Sequence, residues 1–94
     1  MISNLKKAFE NRIKLGVMSI LIVNEWVDYN TLKTMLEVTD GNLASHLKAL
    51  KKENYIEENK VIMGRKPKTS YRVTLLGKAE FKAHIAALNR LLNS

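Results

Sequence analysis

Residues 39–53 read TDGNLASHLKALKKE and have the pattern of an amphipathic helix. Leu43, Leu47 and Leu50 recur at i, i+4 and i+7, which puts three apolar side chains on one helical face. The opposite face holds small, polar and basic residues, namely Asn42, Ser45, Lys48, Ala49 and Lys52. Such a face fits the major groove of DNA, which admits an α-helix and displays hydrogen-bond donors and acceptors on its base edges. Taken alone, the pattern is more typical of an ordinary surface helix, so the flanking segments decide between the two interpretations.

The composition indicates one small globular domain with a basic surface. The chain has 94 residues, of which 46% are hydrophobic and 27% charged, and this suits a single folded domain with a small core. The formal net charge of +7 is typical of nucleic-acid binders, although many other soluble proteins share it. The absence of cysteine excludes disulfides and thiolate metal sites, and it is compatible with a reducing cytosol.

The sequence predicts neither a membrane span nor a signal peptide. The longest apolar run, residues 17–23, is interrupted by Ser19 and is far shorter than the roughly 20 residues that cross a bilayer. The N-terminal stretch MISNLKKAFENR carries charges where a signal peptide needs an apolar core. We therefore expect a cytoplasmic protein, associated with the nucleoid if it binds DNA.

The first half of the chain predicts two helices ahead of residues 39–53. Residues 2–24 have a helical apolar pattern that becomes apolar almost all round beyond Ile13, which is typical of a buried central helix; Asn11 and Gly16 are its two candidate bends. A second, short helix is predicted over residues 31–38, with Leu32, Met35 and Leu36 buried. The turn Thr39-Asp40-Gly41 then leads into the opening helix, which either Thr39 or Asp40 can cap. Two helices joined by such a turn predict a helix-turn-helix over residues 31–53.

Residues 55–75 predict a basic β-hairpin. Asn54 tolerates the left-handed conformation that ends many helices, and strand formers follow over residues 55–63. The predicted loop, residues 64–69, contains Arg65, Lys66 and Lys68 and no acid. Residues 70–75 then alternate, with Tyr71, Val73 and Leu75 expected on one face.

The C-terminal segment predicts a long helix over residues 76–92. Phe81, Ile85, Leu88 and Leu92 repeat at 4-3-4 spacing, as in a coiled-coil seam. A second stripe of small residues lies on nearly the opposite side. One stripe can cover the core of the domain, and the other then has nothing in 94 residues to pack on. We therefore predict a dimer interface, the alternative being a monomer with a partly exposed alanine face. The predicted interface residues are Ile2, Leu5, Phe9, Ala79, Ala83, Ala86, Ala87 and Leu91.

This order of elements resembles the winged-helix transcription regulators of the MarR/ArsR-like superfamily, in the small stand-alone branch that ends in one long helix. The resemblance covers nearly the whole chain and rests on TDGNLASHLKALKKENYIE (residues 39–57) and GRKPKTSYRVTLLGKAEF (residues 64–81). It implies a mainly α fold with a small β-hairpin, an α+β winged helix-turn-helix with a C-terminal dimerisation helix. It also implies a homodimer that places residues 42–52 of each protomer in successive major grooves of double-stranded DNA. Each wing would then reach the adjacent minor groove or the backbone.

The predicted DNA contacts fall on the helix and the hairpin. The resemblance matches Asn42, Ser45 and His46 to positions that face DNA, and Arg65 to the basic wing tip. Asn42 equally fits a helix-start residue that bonds its own backbone, and His46 equally fits a half-buried structural histidine. Arg12 and Lys14 are further candidates for the DNA backbone. The whole predicted set is Asn42, Ser45, His46, Lys48, Ala49, Lys52, Arg65, Lys66, Lys68 and Arg72.

The leading hypothesis is a sequence-specific, homodimeric DNA-binding transcription regulator; the alternative is a winged-helix module for protein interaction or assembly. An enzyme is not expected, since the sequence has no nucleophile–base pair, metal-ligand cluster or glycine-rich phosphate loop after a strand. The resemblance does not extend to metal sensing, because there is no cysteine and the only histidines are His46 and His84. We expect no cofactor, no bound metal and no membrane contact. Any control signal would act at the dimer interface, through a partner protein or by changes in expression.

Overall fold

The computed structural model describes residues 5–93, which form four α-helices, a 3₁₀ turn and a three-stranded antiparallel sheet. The 3₁₀ turn spans Lys7–Phe9. The elements that follow it are α1 (Arg12–Ile22), β1 (Val27–Asp28), α2 (Tyr29–Leu36), α3 (Asp40–Lys52), β2 (Ile56–Met63), β3 (Lys66–Val73) and α4 (Leu75–Leu92). This arrangement confirms the predicted α+β winged-helix class.

Helix α1 is the central core helix, but it is shorter than predicted. The Asn11 side chain accepts hydrogen bonds from the backbone N–H groups of Ile13 and Lys14, at 2.9 and 3.1 Å, and so caps a helix that begins at Arg12. The prediction of one continuous helix over residues 2–24 is therefore wrong, and the break falls at Asn11. The core-facing residues of α1 are buried; they are Ile13, Val17, Met18 and Leu21.

The segment before α1 is docked onto α4. Phe9 is 1% exposed, and its ring lies 5.0 to 5.4 Å from the rings of Tyr55, Phe81 and His84. The Lys6 backbone N–H donates to Nδ1 of His84 at 2.9 Å. The prediction that Phe9 belongs to a dimer interface is therefore wrong, because the core of its own protomer encloses it.

Helices α2 and α3 form a helix-turn-helix over Tyr29–Lys52, near the predicted residues 31–53, with two local differences. Asp28 caps α2 by accepting from the Thr31 N–H at 2.8 Å, and Thr39 caps α3 by accepting from the Asn42 N–H at 3.3 Å. The left-handed residue of the turn is Glu37, with φ 52°, while Gly41 lies inside α3. Met35, predicted to be buried, is 59% exposed because the eight-residue α2 turns only the face of Leu32 towards the core.

The hairpin of β2 and β3 has a shorter loop than predicted and closes in a two-residue turn, Gly64-Arg65. Met63 pairs with Lys66, and Pro67 pairs with Ile62, so most of the predicted loop over residues 64–69 belongs to β3. Proline has no backbone N–H to donate, but it is tolerated at position 67 because the edge of β3 that faces away from β2 has no partner strand there. β1 pairs with that edge only at Ser70 and Tyr71. Gly64 has φ +67°. Glycine at the first central position is the pattern of a type II′ hairpin turn.

The face that helix α4 turns towards the core coincides with neither of the two predicted stripes. A Cβ atom at Gly77 would lie 2.0 Å from the Tyr55 carbonyl oxygen, so this position must face inwards as glycine. Phe81, His84 and Ala87 are buried on the same side, whereas Ile85 and Leu92 are 37% and 81% exposed. The predicted seam of Phe81, Ile85, Leu88 and Leu92 is therefore split between the core and the surface of the protomer. The prediction that Ala87 lies in a dimer interface is also wrong, since it is fully buried in its protomer.

One further expectation needs correction, because Leu75, expected on a strand, is the first residue of α4 and is 89% exposed. Thr74 ends the sheet and caps α4, since its hydroxyl accepts from the Gly77 N–H at 2.9 Å. Trp26, which precedes β1, is 41% exposed.

Candidate nucleic-acid interface

The outer face of α3 is exposed and polar, as predicted. Leu43, Leu47 and Leu50 anchor the opposite face at 0 to 3% exposure. Among the predicted DNA contacts of α3, the side chains of Asn42, Ser45, Lys48 and Lys52 are exposed, and those of His46 and Ala49 are half-buried. All six predicted contact residues of α3 therefore lie at least partly at the surface of this one helix.

Asn42 and His46 are the two α3 residues for which the sequence leaves two roles open. Only the backbone N–H of Asn42 bonds within the described part of the chain, to Thr39 Oγ1, and its carboxamide is left to face solvent. Burial lowers the pKa of His46, and the nearby charge of Lys14 lowers it further. His46 is therefore mostly neutral near neutral pH and is suited to accept or donate a single hydrogen bond.

The turn of the hairpin carries the most accessible cations. Arg65 and Lys66 are exposed, and neither has an ion-pair partner among residues 5–93. Lys68 is exposed as well, but its Nζ lies 3.8 Å from Oδ2 of Asp28, the cap of α2. No acidic residue occurs between Glu58 and the end of β3. The hairpin tip is therefore a cationic surface whose guanidinium and ammonium groups are available to phosphates.

Arg72 lies in a different environment from the other predicted contacts. Its guanidinium pairs with Glu57 on the neighbouring strand and stacks over Trp26, with 4.7 Å from the guanidinium carbon to the ring centroid. Both partners share the outer face of the sheet with it. An arginine already paired and stacked gains less from a phosphate, so the structure favours a role for Arg72 in the sheet.

Glu58 joins the hairpin to α3, and the sequence analysis did not identify it. Its carboxylate accepts from the Tyr71 hydroxyl at 2.8 Å and from Lys51 Nζ, at the end of α3, at 3.0 Å; Lys60 Nζ lies at 3.7 Å. Burial alone raises the pKa of Glu58, but these hydrogen bonds and the two lysine charges together bring it below its ordinary value. Burial also raises the pKa of Tyr71, and the Glu58 carboxylate raises it further. The charged cluster thus sets the position of the hairpin relative to α3.

Two other features escaped the sequence analysis. Lys7, Lys14 and Lys52 line an open groove between the N-terminal segment, α1 and the end of α3, which extends the basic surface. Lys7 comes from the 3₁₀ turn, and only the docking of that turn brings it there. Ile62, near the tip of the hairpin, is 79% exposed, and its neighbour Val61 is 41% exposed.

Comparison with known proteins identifies the fold. Residues 13–92 match the model of a family described as the winged helix DNA-binding domain. The chain belongs to this family. In this fold, the hairpin of β2 and β3 is the wing, and α3 is the second helix of the helix-turn-helix.

The winged-helix domain has relatives that span nearly its whole length. An uncharacterized protein of Methanocaldococcus jannaschii is 32% identical over 85 residues, which cover 90% of this chain and 92% of the relative. A transcriptional regulator homologue from Pyrococcus horikoshii is similar in structure, with a TM-score of 0.89 and 27% identity over 98% of this chain and 92% of the other. A putative MarR-family regulator of Porphyromonas gingivalis shares the fold at a TM-score of 0.69 and 18% identity, covering 93% and 80% of the two chains.

Residues 5–93 contain no group of three or more His, Cys, Asp or Glu side chains that could hold a metal ion. None of the helices found in this range is long and apolar enough to cross a membrane.

Proposed function

We propose that this winged-helix protein is a transcription regulator that binds specific sites in double-stranded DNA as a homodimer. The observation that carries the proposal is the pairing of two exposed basic elements, α3 and the wing, on one rigid frame. The Glu58 cluster connects the two elements directly. The structural similarity to the transcriptional regulator homologue from Pyrococcus horikoshii supports the same role.

In this proposal, α3 enters the major groove. Asn42 and Ser45 lie near its N-terminal end, which is the end that usually meets base edges in helix-turn-helix proteins. An asparagine carboxamide can bond adenine through two hydrogen bonds, and the Asn42 carboxamide is not used inside the described protein. Lys48 and Lys52, one and two turns further on, then face phosphates.

The wing in turn contacts the minor groove or the backbone through Arg65 and Lys66. Both side chains are exposed at the two-residue turn, where Gly64 gives the chain its positive φ. Narrow minor grooves attract arginine, and ammonium groups neutralise phosphates and release condensed counterions. Lys68 contributes less in this scheme, because Asp28 lies beside it.

The homodimer forms through the outer face of α4. Ala79, Ala83 and Ala86 are exposed on the side of α4 that points away from the core, and Leu92 is 81% exposed beyond them. α4 has 18 residues, about 27 Å, and it helps to give the domain a long axis of 53 Å against 25 and 21 Å across. Leu5 and Leu91 are half-buried in the protomer, whereas Ile2 lies outside the described residues.

Fluorescence anisotropy with a pool of random duplexes, measured between 50 and 200 mM salt, tests the DNA-binding role. If a dimer neutralises about 6–10 phosphates, the affinity falls by roughly 10³–10⁵ over this range. The Arg65→Ala/Lys66→Ala variant should bind more weakly, and its salt slope should be shallower by about 0.9 for each phosphate that it no longer neutralises.

The control is Lys78→Ala, which removes a charge from an exposed position near the start of α4. It should retain the wild-type slope. Repeated selection of duplexes from the pool should converge on one operator sequence for the wild type. With Asn42→Ala, the selected sequences should become more varied at the base pairs that Asn42 contacts. Weak binding that is independent of salt and of the wing would contradict the proposal and favour a protein-interaction module.

A further inference from the structure

We propose that Ile62 and Pro67 form an apolar wedge that the wing presses into the minor groove, against the deoxyribose walls. This inference rests on the proposed DNA-binding function. It goes further by choosing the minor groove over the backbone, and by giving a contact role to two uncharged residues of the wing.

The first support is the position of the pair. Ile62 and Pro67 are directly opposite each other in the antiparallel register of β2 and β3, one rung below the Met63–Lys66 pair that closes the turn. Side chains of opposite residues lie on the same face of a sheet. Glu58 and Tyr71 lie four residues from Ile62 and Pro67, nearer the base of the hairpin, and occupy the same face; Glu58 also accepts a hydrogen bond from Lys51 of α3. The Ile62–Pro67 pair therefore lies on the face of the wing that contacts α3.

The second support is exposure. Ile62 is 79% exposed and Pro67 is also exposed, although both lie within a regular strand pair. Single exposed apolar residues are common on protein surfaces. Here, however, two of them lie directly opposite each other in the hairpin, and Pro67 borders an open hollow that Asp28, Tyr29 and Asn30 line from the start of α2.

The third support is the charge around the patch, which specifies the occupant. Lys60 lies two residues before Ile62 on the same face, Arg65 and Lys66 lie at the adjacent turn, and residues 59–68 contain no acid. A cationic rim around an apolar patch fits a polyanion that also has an apolar surface. In duplex DNA, the phosphates supply the first property and the sugars that line the minor groove supply the second. Phosphates alone offer nothing to Ile62, whereas minor-groove proteins insert apolar side chains such as isoleucine and proline between base steps.

The salt dependence of binding distinguishes this wedge from the cations beside it. Burying a methyl or ethyl group releases no counterions, so its loss lowers affinity without changing the salt slope. Ile62→Thr keeps a β-branched residue in the strand and removes most of the apolar surface. We expect it to bind the duplex pool about tenfold more weakly with an unchanged slope, while Ile62→Val stays within about twofold.

Val23→Thr is the matched control, since Val23 is 77% exposed at the end of α1 and is not part of the hairpin. It should bind like the wild type. Arg65→Ala, measured alongside, should show the shallower slope that Ile62→Thr lacks. Thermal melting of each variant checks that it remains folded.

A second pool, in which inosine replaces guanine, locates the contact. Inosine pairs with cytosine but lacks the N2 amino group that projects into the minor groove at G·C pairs. The wild type should bind the inosine pool more tightly than the guanine pool, and Ile62→Thr should lose that preference.

If the wild type binds in a salt-dependent way and Ile62→Thr binds equally tightly, the wedge is overturned but the DNA-binding function is not. Tighter binding with a steeper slope in Ile62→Lys would also overturn it, because the site would then face phosphates. Absence of wild-type binding to both pools would instead remove the proposed function on which the wedge depends.

Discussion

At the scale of single residues, the junction between α3 and α4 is the most constrained point of the fold. Asn54 ends α3 with φ 63°, and its carbonyl accepts from the Thr74 hydroxyl at 2.7 Å. The next carbonyl, of Tyr55, accepts from the Thr74 N–H at 3.0 Å and abuts Gly77. The backbone of one helix end thus lies directly on the first turn of another helix, and only a residue without a Cβ fits there.

Gly77→Ala should therefore be severely destabilising. Its Cβ would meet the Tyr55 carbonyl oxygen at 2.0 Å, and backbone cannot move aside as a flexible side chain can. We expect a loss of about 3 kcal/mol or more in the free energy of unfolding, measured by urea denaturation.

The control for this substitution is Gly41→Ala. Gly41 lies in the first turn of α3, and a Cβ there would meet nothing within 4 Å. Because alanine has the higher helix propensity, we expect a gain of roughly 0.5–1 kcal/mol. Equal effects of the two substitutions would show that the close approach at Gly77 does not exist.

At the scale of elements, the wing keeps its orientation relative to α3 through one partly buried carboxylate. Glu58 receives hydrogen bonds from Tyr71 on β3 and from Lys51 on α3, and its side chain is 18% exposed. The two halves of the DNA-binding surface therefore depend on the same ionised group.

Glu58→Gln should lower the free energy of unfolding at pH 7 by about 1–2 kcal/mol, because hydrogen bonds to a charged carboxylate are stronger than those to a neutral amide. The folded protein holds the pKa of Glu58 below its ordinary value of 4.5. The carboxylate thus adds stability above pH 4.5, and this contribution disappears as the pH falls through the folded-state pKa. Urea denaturation between pH 7 and 3 should show the wild type and Glu58→Gln converging at acid pH.

Glu25→Gln is the control for this pH series. Glu25 is exposed and forms no ion pair among residues 5–93, so its substitution should leave the stability curve close to that of the wild type. A constant difference between wild type and Glu58→Gln at every pH would argue against the charged cluster.

At the scale of the whole molecule, α4 is covered by the domain on one side only. Phe81 and His84 face the core, and the N-terminal segment reaches this side through the bond from Lys6 to His84 and an ion pair from Lys6 to Glu80 at 3.1 Å. The alanine face on the opposite side stays exposed. A helix of this length with small residues on its free side allows a second helix to approach closely, which is the basis of the proposed dimer.

Ala83→Glu should separate the protomers without unfolding them. Ala83 is exposed in the protomer, so a carboxylate there costs little until a partner helix buries it. Sedimentation equilibrium should give twice the chain mass of 10.7 kDa for the wild type, and an association on the order of a hundredfold weaker for the variant.

Ser19→Glu adds the same charge at an exposed position of α1 and should leave the association unchanged. A wild type that sediments at 10.7 kDa at the concentrations where it binds DNA would contradict the homodimer.

The sequence by itself determined the features that depend on neighbours a few residues apart. The spacing of Leu43, Leu47 and Leu50 defines α3 and its exposed polar face, since helical geometry alone brings these side chains together. Thr39 and Thr74 as caps, and Asn54 as the left-handed residue, follow from hydrogen bonds and backbone preferences within one turn. The fold class follows from the order of these local elements.

Only the tertiary structure decided which surfaces face one another. The rotation of α4, and with it the burial of Ala87 and the exposure of Ile85, depends on contacts from Gly77 to Tyr55 and from His84 to Lys6. The latter pair is 78 residues apart in sequence, so no helical period contains it. The start of α1 is a related case, because the apolar pattern continues across Asn11 while its capping bonds and the packing of Phe9 end the helix there. Periodicity tells which residues share a face, but long-range packing selects the face that becomes buried.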